Sequence, residues 1–255
     1  MRAWWTVVAA VARRTTVKVL RRPVVLTFSL AQPLVWMALF GFLFQRFRPG
    51  ELPPGRGYLD FLAPGVSAMS VLFGASQAGV TWIRDFQTGF LSRWLATPAP
   101  RSALLGGKLT ADVGRLLVQA WVVLAVAWLL GVELVVSPAL LPAGWALALF
   151  AAFLAGISSG LALRARSPEA MGAFIHLVNL PLLFSSTALV PDREMPHWLA
   201  QVAQVNPLTL AVEAWRGALL EGSGTPWESL VILAVLALGT CAWARWELVR
   251  AGDLR

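Results

Sequence analysis

Apolar residues run in long stretches along this chain, broken by short clusters rich in Arg, Pro and Gly. A membrane hydrocarbon core is about 30 Å thick, and a helix rises about 1.5 Å per residue, so roughly 20 apolar residues are needed to cross it. Six stretches have that length: Val24–Phe44, Phe61–Ile83, Asp112–Val132, Leu140–Leu163, Ala170–Val190 and Ser229–Trp246. Each is predicted to be a transmembrane helix, because a helix satisfies its own backbone where no water can. The expected fold class is therefore all-α integral membrane, with six spans in a single domain over 1–255.

The segment Met1–Arg22 has a different pattern. It mixes Trp4, Trp5, Val8 and Val11 with Arg13, Arg14, Lys18, Arg21 and Arg22. This reads as an amphipathic helix lying in the membrane interface, its basic residues toward anionic lipid. Pro23 ends or kinks it where the chain turns into the bilayer. The first residues lack the apolar core and small-residue cleavage site of a secretory signal. Two connections exceed a turn: the basic segment 84–108, and 191–228, which carries helix-like stretches around Trp198–Val205 and Thr209–Leu220 and is expected to hold short re-entrant helices between the fifth and sixth spans.

Composition agrees with the pattern. Of 255 residues, 58% are hydrophobic and 13% charged, against about 25% charged in a typical soluble domain. The net charge of +8 raises nucleic acid as a partner, but the charges sit between apolar runs rather than along one face, so no nucleic acid is expected. With the N-terminus inside, fifteen Lys and Arg fall in cytoplasmic segments and five in external ones. That bias predicts a multi-pass protein of the cell (plasma) membrane with both termini cytoplasmic.

Catalytic signatures are missing. The nearest match to a phosphate-binding loop, Gly106-Gly107-Lys108-Leu109, lacks its first glycine and its hydroxyl residue. Two histidines, His176 and His197, make no metal set, and the single cysteine, Cys241, makes no disulfide within the chain. No metal, catalytic residue or bound cofactor is expected. Asp60, Asp112, Glu133, Glu169 and Arg115 all fall near predicted span ends, which disfavours an ion-coupled carrier. A membrane-embedded enzyme would have to start from His197 with Asp192 and Glu194, or from Asn206. A secondary transporter or a purely structural membrane protein would fit the same six spans.

Several spans carry a weakly polar stripe at helical spacing. Ser67, Ser70, Gly74, Gln77 and Thr81 mark the second span, His176, Asn179 and Ser186 the fifth, and Ser29 and Gln32 the first. Such residues either pack helices or line a substrate path. Gly156 and Gly160 form a small-xxx-small pattern for close helix contact, within or between subunits. In the cytoplasmic segment, Phe86, Phe90, Leu91, Trp94 and Leu95 share one face of a short helix that Pro98 and Pro100 stop.

Two motifs carry a resemblance. Arg84-Asp85, Thr88-Gly89 and Leu95-Ala96-Thr97-Pro98 resemble the first cytoplasmic loop of ABC-2 type permeases, the membrane subunits of ATP-binding-cassette exporters. Ser185-Ser186, Pro191, Pro196, Trp198-Leu199 and Asn206-Pro207-Leu208-Thr209 with Arg216 resemble the C-terminal signature of that family. Leu210 departs from it, standing where a Tyr or another polar residue is more usual. The likeness covers essentially the whole chain and leans toward drug-resistance permeases. It implies a homodimer or heterodimer of permease domains and separate ATPase subunits that bind ATP and magnesium. On that footing Arg84, Asp85, Phe86, Thr88, Gly89, Phe90, Arg93 and Trp94 are expected to couple to the ATPase. Phe86, Phe90 and Trp94 would seat in its groove, and Arg84, Asp85 and Arg93 would orient it. Ser29, Gln32, Ser67, Ser70, Gln77, His176, Asn179 and Ser186 are expected along the translocation path. Asn206, Pro207 and Arg216 would form an external gate.

Overall fold

The computed structural model describes residues 2–21, 23–46, 56–97 and 99–253. All regular structure among them is helical: α1 (Arg2–Leu20), α2 (Pro23–Leu43), α3 (Tyr58–Gln87), α4 (Phe90–Leu95), α5 (Arg101–Leu129), α6 (Leu140–Ala165), α7 (Pro168–Phe184), α8 (His197–Val205), α9 (Pro207–Arg216) and α10 (Trp227–Asp253). A 3-10 turn, Asp192–Glu194, precedes α8, and a π-helical turn, Gly217–Glu221, follows α9. Four helices, α3, α5, α6 and α10, are long and apolar enough to cross a membrane; α2 and α7 contribute the shorter apolar runs Leu30–Leu43 and Pro168–Phe184.

The largest correction concerns α5. It begins at Arg101, not at Asp112, so Lys108, Asp112 and Arg115 lie inside a helix rather than in a connection or a first turn. Leu104, Leu105 and Leu109 continue the 3–4 spacing of the span back through a stretch whose glycines and charges read as a loop. At the other extreme, α7 stops at Phe184 instead of Val190. The Ser185 hydroxyl turns back onto the Pro181 carbonyl at 2.7 Å and that of Ser186 onto Leu183 at 2.7 Å.

The N-terminal helix is not simply laid on the bundle. It packs along α5, burying Val8, Val11 and Thr15, and the Trp4 indole donates to the Ser102 hydroxyl at 3.2 Å. Gly107 makes this approach possible, because a Cβ there would stand 2.7 Å from the Val8 carbonyl oxygen. The near-match to a phosphate loop is thus a helix-packing notch. Gly156 and Gly160 do the same for α6 against α10 within one chain: a Cβ on Gly156 would meet Thr240 at 2.7 Å, and one on Gly160 the Trp243 ring at 2.5 Å.

The core centres on α3. Phe61, Leu62, Met69 and Leu72 are fully enclosed by α5, α6 and α9. A second apolar cluster, around Trp82, Leu91, Leu104, Leu163 and Leu248, closes the end of the bundle that carries α1 and α4.

Candidate functional site

At that end α3 leaves its axis. The Thr88 hydroxyl and amide both bond to the Arg84 carbonyl, at 2.9 and 3.0 Å. Gly89 then adopts φ +66°, a left-handed conformation that glycine takes without a Cβ clash, and α4 starts from it. The result is an elbow between α3 and α4.

Asp85 sits just before the elbow and is almost wholly buried, at 2% exposure. Its Oδ2 accepts from Lys108 Nζ of α5 at 2.8 Å, and its Oδ1 from Lys18 Nζ of α1 at 2.9 Å. Arg14 of α1 lies 3.8 Å from Oδ1. Lys108 is equally buried, and its ammonium also lies over the Trp82 ring at 3.8 Å. A buried charge is tolerated when it is paired and hydrogen-bonded; here one carboxylate holds three helices, α1, α3 and α5, as one body.

This overturns two expectations. Asp85 offers nothing to a docking partner, since both oxygens are committed inside the chain. Arg14 and Lys18, expected to face lipid, turn inward to it. The aromatic face of the elbow is also covered. Arg14 caps the Phe90 ring at 3.5 Å, Arg166 lies over Phe86 at 4.8 Å, and Phe90 pairs with Trp94 at 6.0 Å. Phe86, Phe90 and Trp94 are half-buried against the second apolar cluster. The exposed rim consists instead of Arg84, Gln87, Thr88, Arg93, Ala96 and Thr97.

The expected path residues do not form one lined surface. Ser67 and Ser70 are fully buried; Ser67 accepts from the Trp215 indole at 2.9 Å, and Ser70 donates to the Ser67 carbonyl at 2.6 Å. Asn179 is buried against α3 and donates to the Ser76 hydroxyl at 2.7 Å. Ser186 is buried in the turn after α7. The hydrogen bonds these groups make lie inside the chain, between and along its helices. Gln32 and Gln77 are exposed. Ser29 and His176 lie outside the described side chains.

At the opposite end, the three gate residues come together around α9. The Asn206 side chain caps it, accepting from Leu208 N at 2.8 Å and donating to the Leu182 carbonyl at 2.8 Å and the Ser185 hydroxyl at 3.0 Å. Pro207 occupies the first turn, where its missing N–H costs nothing. Arg216, 7% exposed, donates to Glu213 at 2.8 Å, to the Thr187 carbonyl at 2.8 Å and to the Phe61 carbonyl at 3.3 Å, with its guanidinium 3.8 Å from the Phe61 ring. The Thr187 hydroxyl donates to Glu213 as well.

Sequence reasoning misses Lys18, Lys108, Thr187 and Phe61 as members of these clusters. Lys108 carries a usable signal: a lysine flanked by Gly107 and Leu109 at helical register with apolar neighbours needs a buried acid.

A bundle of long apolar helices, with an ion-locked elbow at one end and a capped short-helix pair at the other, fits an integral membrane protein. The chain belongs to the ABC-2 type transporter family, whose model matches residues 6–220. A ycf38 transport permease of Cyanophora paradoxa is 33% identical over 207 residues, 80% of this chain and 71% of that protein. The daunorubicin resistance ABC transporter permease DrrB1 of Streptomyces coeruleorubidus is 29% identical over 220 residues, 84% of this chain and 75% of that one. ABC transporter G family member 20 of Dictyostelium discoideum, a much longer chain, shares 28% identity over 190 residues, 25% of its length.

Proposed function

We propose that this chain is the membrane subunit of an ATP-driven exporter. In this reading it crosses the plasma membrane six times with both termini cytoplasmic, and the α8–α9 pair dips back from the external side. It pairs with a second permease chain, identical or related, and forms the path for an amphipathic or lipid-like compound, a drug or a glycan. Separate ATP-binding-cassette subunits hold ATP and magnesium.

The observation that carries the reading is the elbow. An exposed polar rim, Arg84, Gln87, Thr88 and Arg93, sits on a buried ion cluster that joins α1, α3 and α5. In this reading a force applied to the rim by a soluble partner would be shared by the three helices that the Asp85 cluster ties together. At the external end, Arg216 clamps α9 to the start of α3 and to the turn after α7, so movement of α3 is felt where release would occur. The likeness to DrrB1, a drug-resistance permease by name, favours an amphipathic substrate.

The test is co-expression with a candidate ATPase, followed by capture in mild detergent and export measured in vesicles. Arg84→Glu with Arg93→Glu is expected to abolish capture and ATP-dependent export, since exposed charges set partner orientation. Both side chains are exposed, so the fold is expected to change by less than about 0.5 kcal/mol. Undiminished capture by this double variant would remove the elbow from the interface.

A further inference from the structure

With its apolar side docked on α5, α1 turns a basic side outward. Arg13, Arg14, Lys18 and Arg21 line one open hollow with Ala10 and Val17, at the steps of three and four that share a helix face. No acid lines this hollow. Arg13 and Arg21 are exposed and have no ion-pair partner among the described residues. The Asp85 cluster adds to the surplus. Three cations, Arg14, Lys18 and Lys108, meet a single carboxylate there, at 3.8, 2.9 and 2.8 Å. Arg14 and Lys18 belong to both the cluster and the hollow, and Arg84 stands beside them in the cleft under α1.

A neighbouring surface is apolar. A groove of about 580 Å³ runs between α1, α2 and α5, walled by Val19, Leu20, Leu30, Val118 and Val122. Asp112 reaches its wall, but it is 2% exposed and faces Arg115 at 4.0 Å, so the groove presents no net negative charge. Arg13 lines both the groove and the basic hollow, and the two surfaces meet there. A basic hollow joined to an apolar groove fits a molecule with an anion at one end and hydrocarbon at the other. A free inorganic anion would use the hollow alone and leave the groove without an occupant.

We infer that α1 carries a discrete site for an anionic phospholipid, whose phosphate is held by Arg13 and Arg21 and one of whose acyl chains lies in the groove against Val118 and Val122. Guanidinium groups receive phosphate through two parallel N–H···O bonds, a geometry that a diffuse basic surface does not supply. Behind the two arginines, Arg14 and Lys18 bring the uncompensated charge of the Asp85 cluster to the same phosphate. The lipid is a resident of the fold rather than its cargo. The inference therefore goes beyond the transport reading and does not depend on it.

The experiment titrates the purified full chain, in a neutral detergent, with phosphatidylglycerol and phosphatidylcholine that carry the same fluorophore on one acyl tail; empty micelles are subtracted. Phosphatidylglycerol is expected to bind roughly tenfold or more tightly. Arg13→Gln with Arg21→Gln should shrink that preference to under about threefold. Arg245→Gln with Arg250→Gln removes the same charge from exposed positions on α10 and should leave the preference unchanged. Gly114→Leu tests the apolar half: Gly114 lines the groove, and a Cβ there meets nothing within 4 Å, so the larger side chain fills the groove and should weaken phosphatidylglycerol binding. Excess inorganic phosphate should not displace the lipid. Equal binding of the two lipids overturns the inference, as does equal loss in the two double variants, which marks diffuse attraction to a basic protein. Displacement by phosphate, which marks a free-anion site, or binding indifferent to Gly114→Leu overturns it as well.

Discussion

The two ends of the bundle each hold a buried ion, and they hold it differently. Asp85 is gripped by side chains that come from 23 and 67 positions away. Arg216 is gripped mostly by backbone carbonyls, those of Phe61 and Thr187, with one acid three residues before it. The Asp85 cluster is an electrostatic knot, sensitive to any change of charge among its members. The Arg216 cluster is a geometric one, fitted to the spread of a guanidinium, and Glu213 is exposed enough to be replaced by water. On the transport reading proposed above, the first kind suits the end where a partner would push, and the second the end where helices are kept in register.

Substitutions at each end separate the two kinds. The largest effect is expected from Asp85→Leu, which leaves Lys108 buried without its partner; about 3–5 kcal/mol of stability should be lost, read as a lower midpoint in detergent unfolding. Adding Lys108→Leu should restore much of it, because replacing both partners by apolar groups is often near neutral. No recovery would mean that Lys18 and Arg14, not Lys108, set the energy of the knot. Next comes Arg216→Gln, which strands two carbonyls and should cost about 2–3 kcal/mol. Arg216→Lys should recover only part, since an ammonium cannot reproduce the fork; full recovery would make this end electrostatic too. The smallest effect is expected from Lys18→Met, at about 0.5–1 kcal/mol, because Lys18 is one-third exposed and Asp85 keeps Lys108. A loss as large as that from Asp85→Leu would show that α1, not α5, is the principal anchor.

The contrast also explains what can be read from the sequence. Spans built from uninterrupted apolar residues, such as Leu140–Leu163, are legible because lipid demands length and apolarity together. The pair Arg216 and Glu213 is foreseeable as neighbours on one helix face. The start of α5 is not, because Gly106, Gly107 and Lys108 carry turn and charge signals that a docked α1 overrides. Lys108 hints at a buried acid, but that the acid is Asp85 does not follow from the sequence: the partners of the knot lie on two other helices, and pairing across them is settled by packing rather than spacing. Periodicity puts Phe86, Phe90 and Trp94 on one face of a short helix, but it does not say whether another part of the same chain covers that face. Arg166 and Arg14, remote in sequence, do so here.

The order of Lys18, Asp85 and Lys108 along the chain has a consequence for biogenesis. Synthesis delivers α1 first, then Asp85 at the end of α3, and only afterwards the lysine that the bundle buries. The acid that neutralises Lys108 in the folded chain is therefore made before it. The most polar turn of α5 thus finds its counter-ion in a part of the chain synthesised earlier, so Lys108 need never enter the bundle ahead of the acid that pairs with it.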